Sequence, residues 1–124
     1  MAHNGLFLQY ALKNARVEHN VVLQAVKQNG EALQFTNRTM RSNYDIVLAA
    51  VKQNGEALRF ATQALKNNRA IVIEAVHENG NAIRFASHKQ QADGYVFITA
   101  IVNNPTLLDL HTIRELMKAF DYPT

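Results

Sequence analysis

Along the middle of the chain the apolar residues recur at helical spacing. Ile46, Val47, Ala50 and Val51 fall three and four residues apart, with Leu48 beside them. That spacing puts them on one face of an α-helix. Asn54-Gly55 interrupts the pattern. Glycine accepts the left-handed backbone of a helix C′ position, so a helix stop is predicted there. Glu56 then opens a second helix, where an acid suits the positive end of the helix dipole. Ala57, Phe60, Ala61 and Ala64 are its predicted buried side, with Leu58 and Leu65 alongside. Lys66-Asn67-Asn68 closes it, and Asn68 is of the type that caps the next helix. Asn-Gly between strands would signal a hairpin. Here the flanks keep a period near 3.6, so helices are expected.

The same pattern returns at a fixed interval. The segment from Ala25 to Phe35 (AVKQNGEALQF) reappears from Ala50 to Phe60 (AVKQNGEALRF) and from Ala75 to Phe85 (AVHENGNAIRF). Gly30, Gly55 and Gly80 stand in one phase, 25 residues apart. A period of this size predicts a stacked array, in which each unit buries its apolar face only against its neighbours. The fold class expected is all-α: short helix hairpins stacked into a compact helical array, forming one domain over residues 1–124. Its predicted parts are a half-unit at 1–16, units at about 17–41, 42–66 and 67–91, and a closing unit at 92–124. Helices of about ten residues are marginal alone, so packing between units must hold them. The recurring Ala25, Ala50, Ala75 and Ala100 are small enough for close helix approach.

Both ends depart from the pattern. The half-unit has Leu6 and Phe7 where the others have Glu31, Glu56 and Asn81, then Ala32, Ala57 and Ala82. These apolar residues either fold back as a cap or form an interface between molecules. At the other end Asn104 and Pro105 have the form of an N-cap and first helical position. Leu107, Leu110, Ile113, Met117 and Phe120 then make the apolar stripe of a longer amphipathic helix that closes the array.

Composition narrows the chemistry. The chain has 124 residues, 48% of them apolar, and no cysteine. Disulfides, thiolate metal sites and a cysteine nucleophile are excluded. No leader of the basic-then-apolar kind is seen and no run is long enough to span a bilayer, so a soluble protein without a membrane partner is expected. The net charge is +3, with acids and bases interleaved. A nucleic-acid coat usually carries a denser basic stripe.

Candidate catalytic sets are thin. Glu74 and His77 have the Glu-x-x-His spacing of di-iron bundles, but that site needs a second such motif, and the equivalent positions hold Gln24 with Lys27 and Ala49 with Lys52. His3, His19, His88 and His111 belong to no recognisable metal or triad spacing, and Ser42 and Ser87 lie in no nucleophile elbow. The glycines are too far apart for a nucleotide fingerprint. No enzyme activity, metal or cofactor is expected. What remains are two ladders. Gln34, Arg59 and Arg84 share one phase, and Lys27, Lys52 and His77 share another. Stacking would set each in a row, able to meet an acidic protein surface or a nucleic acid.

The run from Ile46 to Ala61 (IVLAAVKQNGEALRFA), followed by Leu65-Lys66-Asn67-Asn68-Arg69, resembles a short helical repeat of unknown function common in secreted effectors of Legionella and related intracellular bacteria. The resemblance covers roughly residues 17–104, and the third unit departs at His77, Glu78 and Asn81. It implies an all-helical repeat in a bacterial effector setting, in the bacterial cytoplasm with translocation to the host. It carries no functional residues. Small arrays of this kind are similar to effectors that inhibit other effectors, among them ubiquitin-directed deamidases or transglutaminases. The function expected is therefore protein binding, with inhibition of a partner enzyme by occlusion of its active or substrate-binding surface. The contacts expected are Leu6, Phe7, Arg59, Arg84, Lys27 and Lys52, and homodimerisation through the half-unit would compete with the partner. The alternative is a nucleic-acid-binding array that uses the Arg59/Arg84 and Lys27/Lys52 ladders.

Overall fold

The structure is a computed structural model, and it describes residues 19–107 together with Arg114 and Lys118. Within these residues the chain is all-α. In order, the elements are α1 (His19–Gln28), the 3-10 segment η1 (Gly30–Phe35), α2 (Arg38–Arg41), α3 (Tyr44–Gln53), η2 (Gly55–Phe60), α4 (Gln63–Lys66), α5 (Arg69–Glu78), η3 (Gly80–Phe85), α6 (His88–Gln91), α7 (Gly94–Asn103) and η4 (Pro105–Leu107). The half-unit with Leu6 and Phe7, and most of the closing segment, lie outside the described residues. Arg114 and Lys118 are helical and exposed.

Each unit holds three elements rather than the expected helix hairpin. The second helix breaks in two because Thr36, Ala61 and Ala86 are extended, with φ of −85°, −70° and −74°. Asn37, Thr62 and Ser87 follow them at the N-cap positions of the short helices; Asn37 and Ser87 accept the Met40 and Gln90 N–H groups, while the Thr62 side chain makes no such bond. All three are N-cap residue types in one phase, which is a signal present in the sequence. The break has a consequence for stacking. It frees the Thr62 N–H to donate to the Arg41 carbonyl (3.2 Å), and the Ser87 N–H to donate to that of Lys66 (3.0 Å). Backbone hydrogen bonds thereby join consecutive units. The break also turns Ala64 outward, although helical spacing had placed it on the buried side.

The long helices α1, α3, α5 and α7 stack side by side in chain order. The 3-10 segments η1, η2 and η3 form a second row, each lying between its own long helix and that of the next unit. Between the rows is the core, in which Val22, Val26, Leu33, Ile46, Leu58 and Ile71 are fully buried. Burial of such side chains contributes roughly 1.5–3 kcal/mol each and holds the marginal helices together.

The Asn-Gly stop works differently from the left-handed cap. None of Gly30, Gly55 and Gly80 has a left-handed φ. Asn29, Asn54 and Asn79 do the turning. Each is extended, and its side-chain oxygen accepts the N–H two residues on, at 3.0 Å in all three units. Glycine is required because the next unit comes so close. A Cβ on Gly30, Gly55 or Gly80 would overlap the carbonyl oxygen of Ala50, Ala75 or Ala100 respectively. The Gly30 N–H donates to Gln53 Oε1 of the next unit at 2.6 Å, and the Gly55 N–H to Glu78 Oε1 at 2.5 Å. Pro105 stands in the same phase. It has no N–H to donate, so the glycine hydrogen bond is not repeated at η4.

The last long helix is held at its start by an acid. Asp93 accepts the N–H groups of Tyr95 (3.0 Å) and Val96 (3.1 Å), and takes the Arg69 Nε–H at 2.9 Å from the unit before. The Arg69 hydrogen bond, then the backbone donors, hold its carboxyl below the ordinary 3.8. A depressed carboxylate adds stability above its unfolded pKa and loses it as pH falls through the folded value. Acid titration from pH 3.8 downward should therefore weaken α7 in the native protein. In Asp93→Asn that pH-dependent part should be absent while the amide oxygen still caps. Denaturant midpoints of both proteins across this range are the measurement; parallel curves would remove Asp93 from the account.

Candidate functional site

The two predicted ladders lie on different rows of the array, and the structure gives them different partners. Arg59, on η2, donates from Nη2 to Glu31 Oε2 of the preceding unit at 2.9 Å. Its guanidinium also lies over the Phe60 ring, 4.6 Å from the centroid. Arg84, on η3, repeats both contacts, with Glu56 at 3.5 Å and the Phe85 ring at 4.7 Å. Each glutamate has a second neighbour from the following unit. Asn54 Nδ2 donates to Glu31, and Asn79 Nδ2 to Glu56, both at 3.4 Å. In the third unit Asn81 replaces the acid and accepts from Asn104 at 2.9 Å. The arginine ladder is thus a chain of clamps between units. Exposed pairs of this kind contribute about 0–1 kcal/mol each. Their main effect here is to orient the guanidinium groups, each of which already faces a carboxylate of the array.

Lys27 and Lys52 sit in the last turns of α1 and α3, where a cation complements the helix dipole. Both are exposed, and neither has an ion-pair partner among the described residues. They flank a furrow of about 550 Å3 between the two helices, lined also by Leu23, Asp45, Leu48 and Ala49. Arg59 and Arg84 do not line it, so the ladders do not merge into one basic site. His77 continues the lysine phase on α5 and is exposed.

A third feature escaped the sequence reading. Tyr95, Ile98 and Val102 on α7 are 60%, 49% and 71% exposed. They stand three and four residues apart and share one face of the helix. The equivalent positions on α3 hold Asp45, Leu48 and Lys52. The outer face of the long-helix row therefore changes from polar-edged to apolar at α7. Its sequence, GYVFITAIVN, carries the missed signal, since apolar residues stand on its outer face as well as on its core face. Beside it is an apolar cleft of about 210 Å3 lined by Ile83, Phe97, Ala100, Ile101 and Leu107, with Arg84 at its edge.

Among the described residues, no three of His, Asp and Glu gather as a metal site. Glu74 and His77 lie together on α5, and no further carboxylate or histidine gathers with them among the described residues. No helix among them is long and apolar enough to cross a membrane.

A family model described as a domain of unknown function (DUF4116) matches residues 19–66 and 58–90. No curated protein and no solved structure matches the chain.

Proposed function

We propose a protein-binding function for this chain, which belongs to the DUF4116 family of domains of unknown function. The observation that carries the reading is the exposed stripe Tyr95–Ile98–Val102 on α7. An aromatic and two aliphatic side chains side by side on a rigid helix are the kind of surface that another protein desolvates. Nucleic acid has little use for such a stripe, and it would compete with Glu31 and Glu56 for the arginines.

In its finer form the reading is inhibition by occlusion. The resemblance to repeats of secreted effectors points to a partner that is itself an effector enzyme, a ubiquitin deamidase or transglutaminase, whose active or substrate-binding surface the array covers. The site of action would be the bacterial cytoplasm, or the host cytoplasm after translocation. Leu6 and Phe7 would offer a second apolar contact, shared with a homodimer.

The test begins with a partner captured on the whole chain and identified, whose activity is then assayed with and without the array. Ile98→Asp should weaken binding by about 2 kcal/mol and relieve inhibition to match. Val102→Asp, at a more exposed position, should do the same with the helical signal unchanged. If capture and inhibition both survive the two substitutions, the stripe is not the contact.

A further inference from the structure

We infer that the furrow between α1 and α3 receives an amphipathic helix of the partner, one with an aliphatic face and two carboxylates near one end. The inference rests on the protein-binding reading and gives that partner a chemistry. The floor of the furrow is aliphatic, made by Leu23, Leu48 and Ala49, all half-buried. At one end stand Lys27 and Lys52. Each is four residues after a floor leucine, so each ammonium lies one helical turn beyond the apolar contact. At the other end is Asp45, about 10 Å along the helix from Lys52 at the α-helical rise.

The furrow is therefore cationic at one end, apolar in the middle and anionic at the other. A helix complements it with leucines at i, i+3 and i+4 on the floor, glutamates against the lysines and a cation near Asp45. The unpaired state of the lysines supports this. Arg59, Arg69 and Arg84 each already hold a carboxylate of the array, whereas Lys27 and Lys52 hold none among the described residues. The chemistry also selects this furrow over the next one. Glu74 occupies on α5 the position that Ala49 occupies on α3, and it would repel the same glutamates.

The probe is a synthetic helical peptide of about four turns with that pattern, together with its charge-swapped counterpart. Both are titrated against the whole chain by fluorescence anisotropy. The wild type should bind the first peptide and discriminate against the second. Lys27→Glu with Lys52→Glu should bind the first about tenfold more weakly or worse, and should prefer the second. Both lysines are exposed, so the double variant should keep its helical signal. Equal binding of both peptides by both proteins, or none by either, overturns the assignment. So does lysine-dependent binding of phosphatidylserine vesicles or RNA without peptide binding. An identified partner lost by Ile98→Asp but kept by the double lysine variant would overturn the furrow and leave the protein-binding reading standing. A partner kept by both would remove both.

Discussion

Gly55→Ala should lower the stability of the array by about 3 kcal/mol, a large effect for the addition of one methyl group. In most settings this change stabilises slightly, because alanine has less freedom to lose in the unfolded chain. Here the new Cβ would overlap the Ala75 carbonyl oxygen. That oxygen cannot swing aside. It accepts the Asn79 N–H at 2.9 Å and closes the last turn of α5. The clash is relieved only if η2 and α5 slide apart, which opens the interface between units and stretches the bond from the Gly55 N–H to Glu78. Thermal unfolding followed by circular dichroism should show a midpoint lowered by roughly 10 °C. A midpoint within about 2 °C of wild type would mean that the contact relaxes without cost.

Leu58→Ala should cost a similar amount, about 3 kcal/mol, by the opposite route. Leu58 is fully buried between the two rows, and its removal leaves a cavity bounded by packed helices. Ile83 has the same phase one unit later but is only half-buried and lines the apolar cleft beside α7. Ile83→Ala should therefore cost roughly half as much, since less of its contact area is lost. Denaturant midpoints of the two variants measure the difference. Equal costs would show that the cleft beside Ile83 closes in solution.

Several of these features were legible in the chain. The helical faces and the asparagine caps depend on residues only a few positions apart, and the stacked period on the return of one string every 25 residues. Ile46, Val47, Ala50 and Val51 are buried as their spacing predicts. Asn68 accepts the Ile71 N–H as an N-cap should. The break at Ala61 was harder to read, because Ala-Thr is compatible with a continuing helix and only the recurrence of Asn37, Thr62 and Ser87 marks it. The glycines were located correctly but for another reason. A left-handed turn and a close backbone approach both select glycine, and the sequence does not distinguish them.

The lysine and arginine ladders looked alike as strings of positions. They separate only in space, where Arg59 finds Glu31 across 28 residues of chain while Lys52 finds no acid among the described residues. The Tyr95–Ile98–Val102 stripe is similar. Its residues are written plainly in α7, but their exposure depends on what packs beside that helix.

The sequence by itself determined that this protein is an all-helical array with a 25-residue period and a core face on every long helix. The helical faces follow from local hydrogen bonding and from the 3.6-residue turn, which act within a few residues, and the period from the return of one string every 25 residues. Tertiary structure decided which side chains meet between units, why glycine is needed at three positions, and which cations and apolar groups are left facing solvent. Those outcomes depend on the distance and tilt between stacked helices, which are set by the packing of whole faces rather than by the spacing of any residues along the chain.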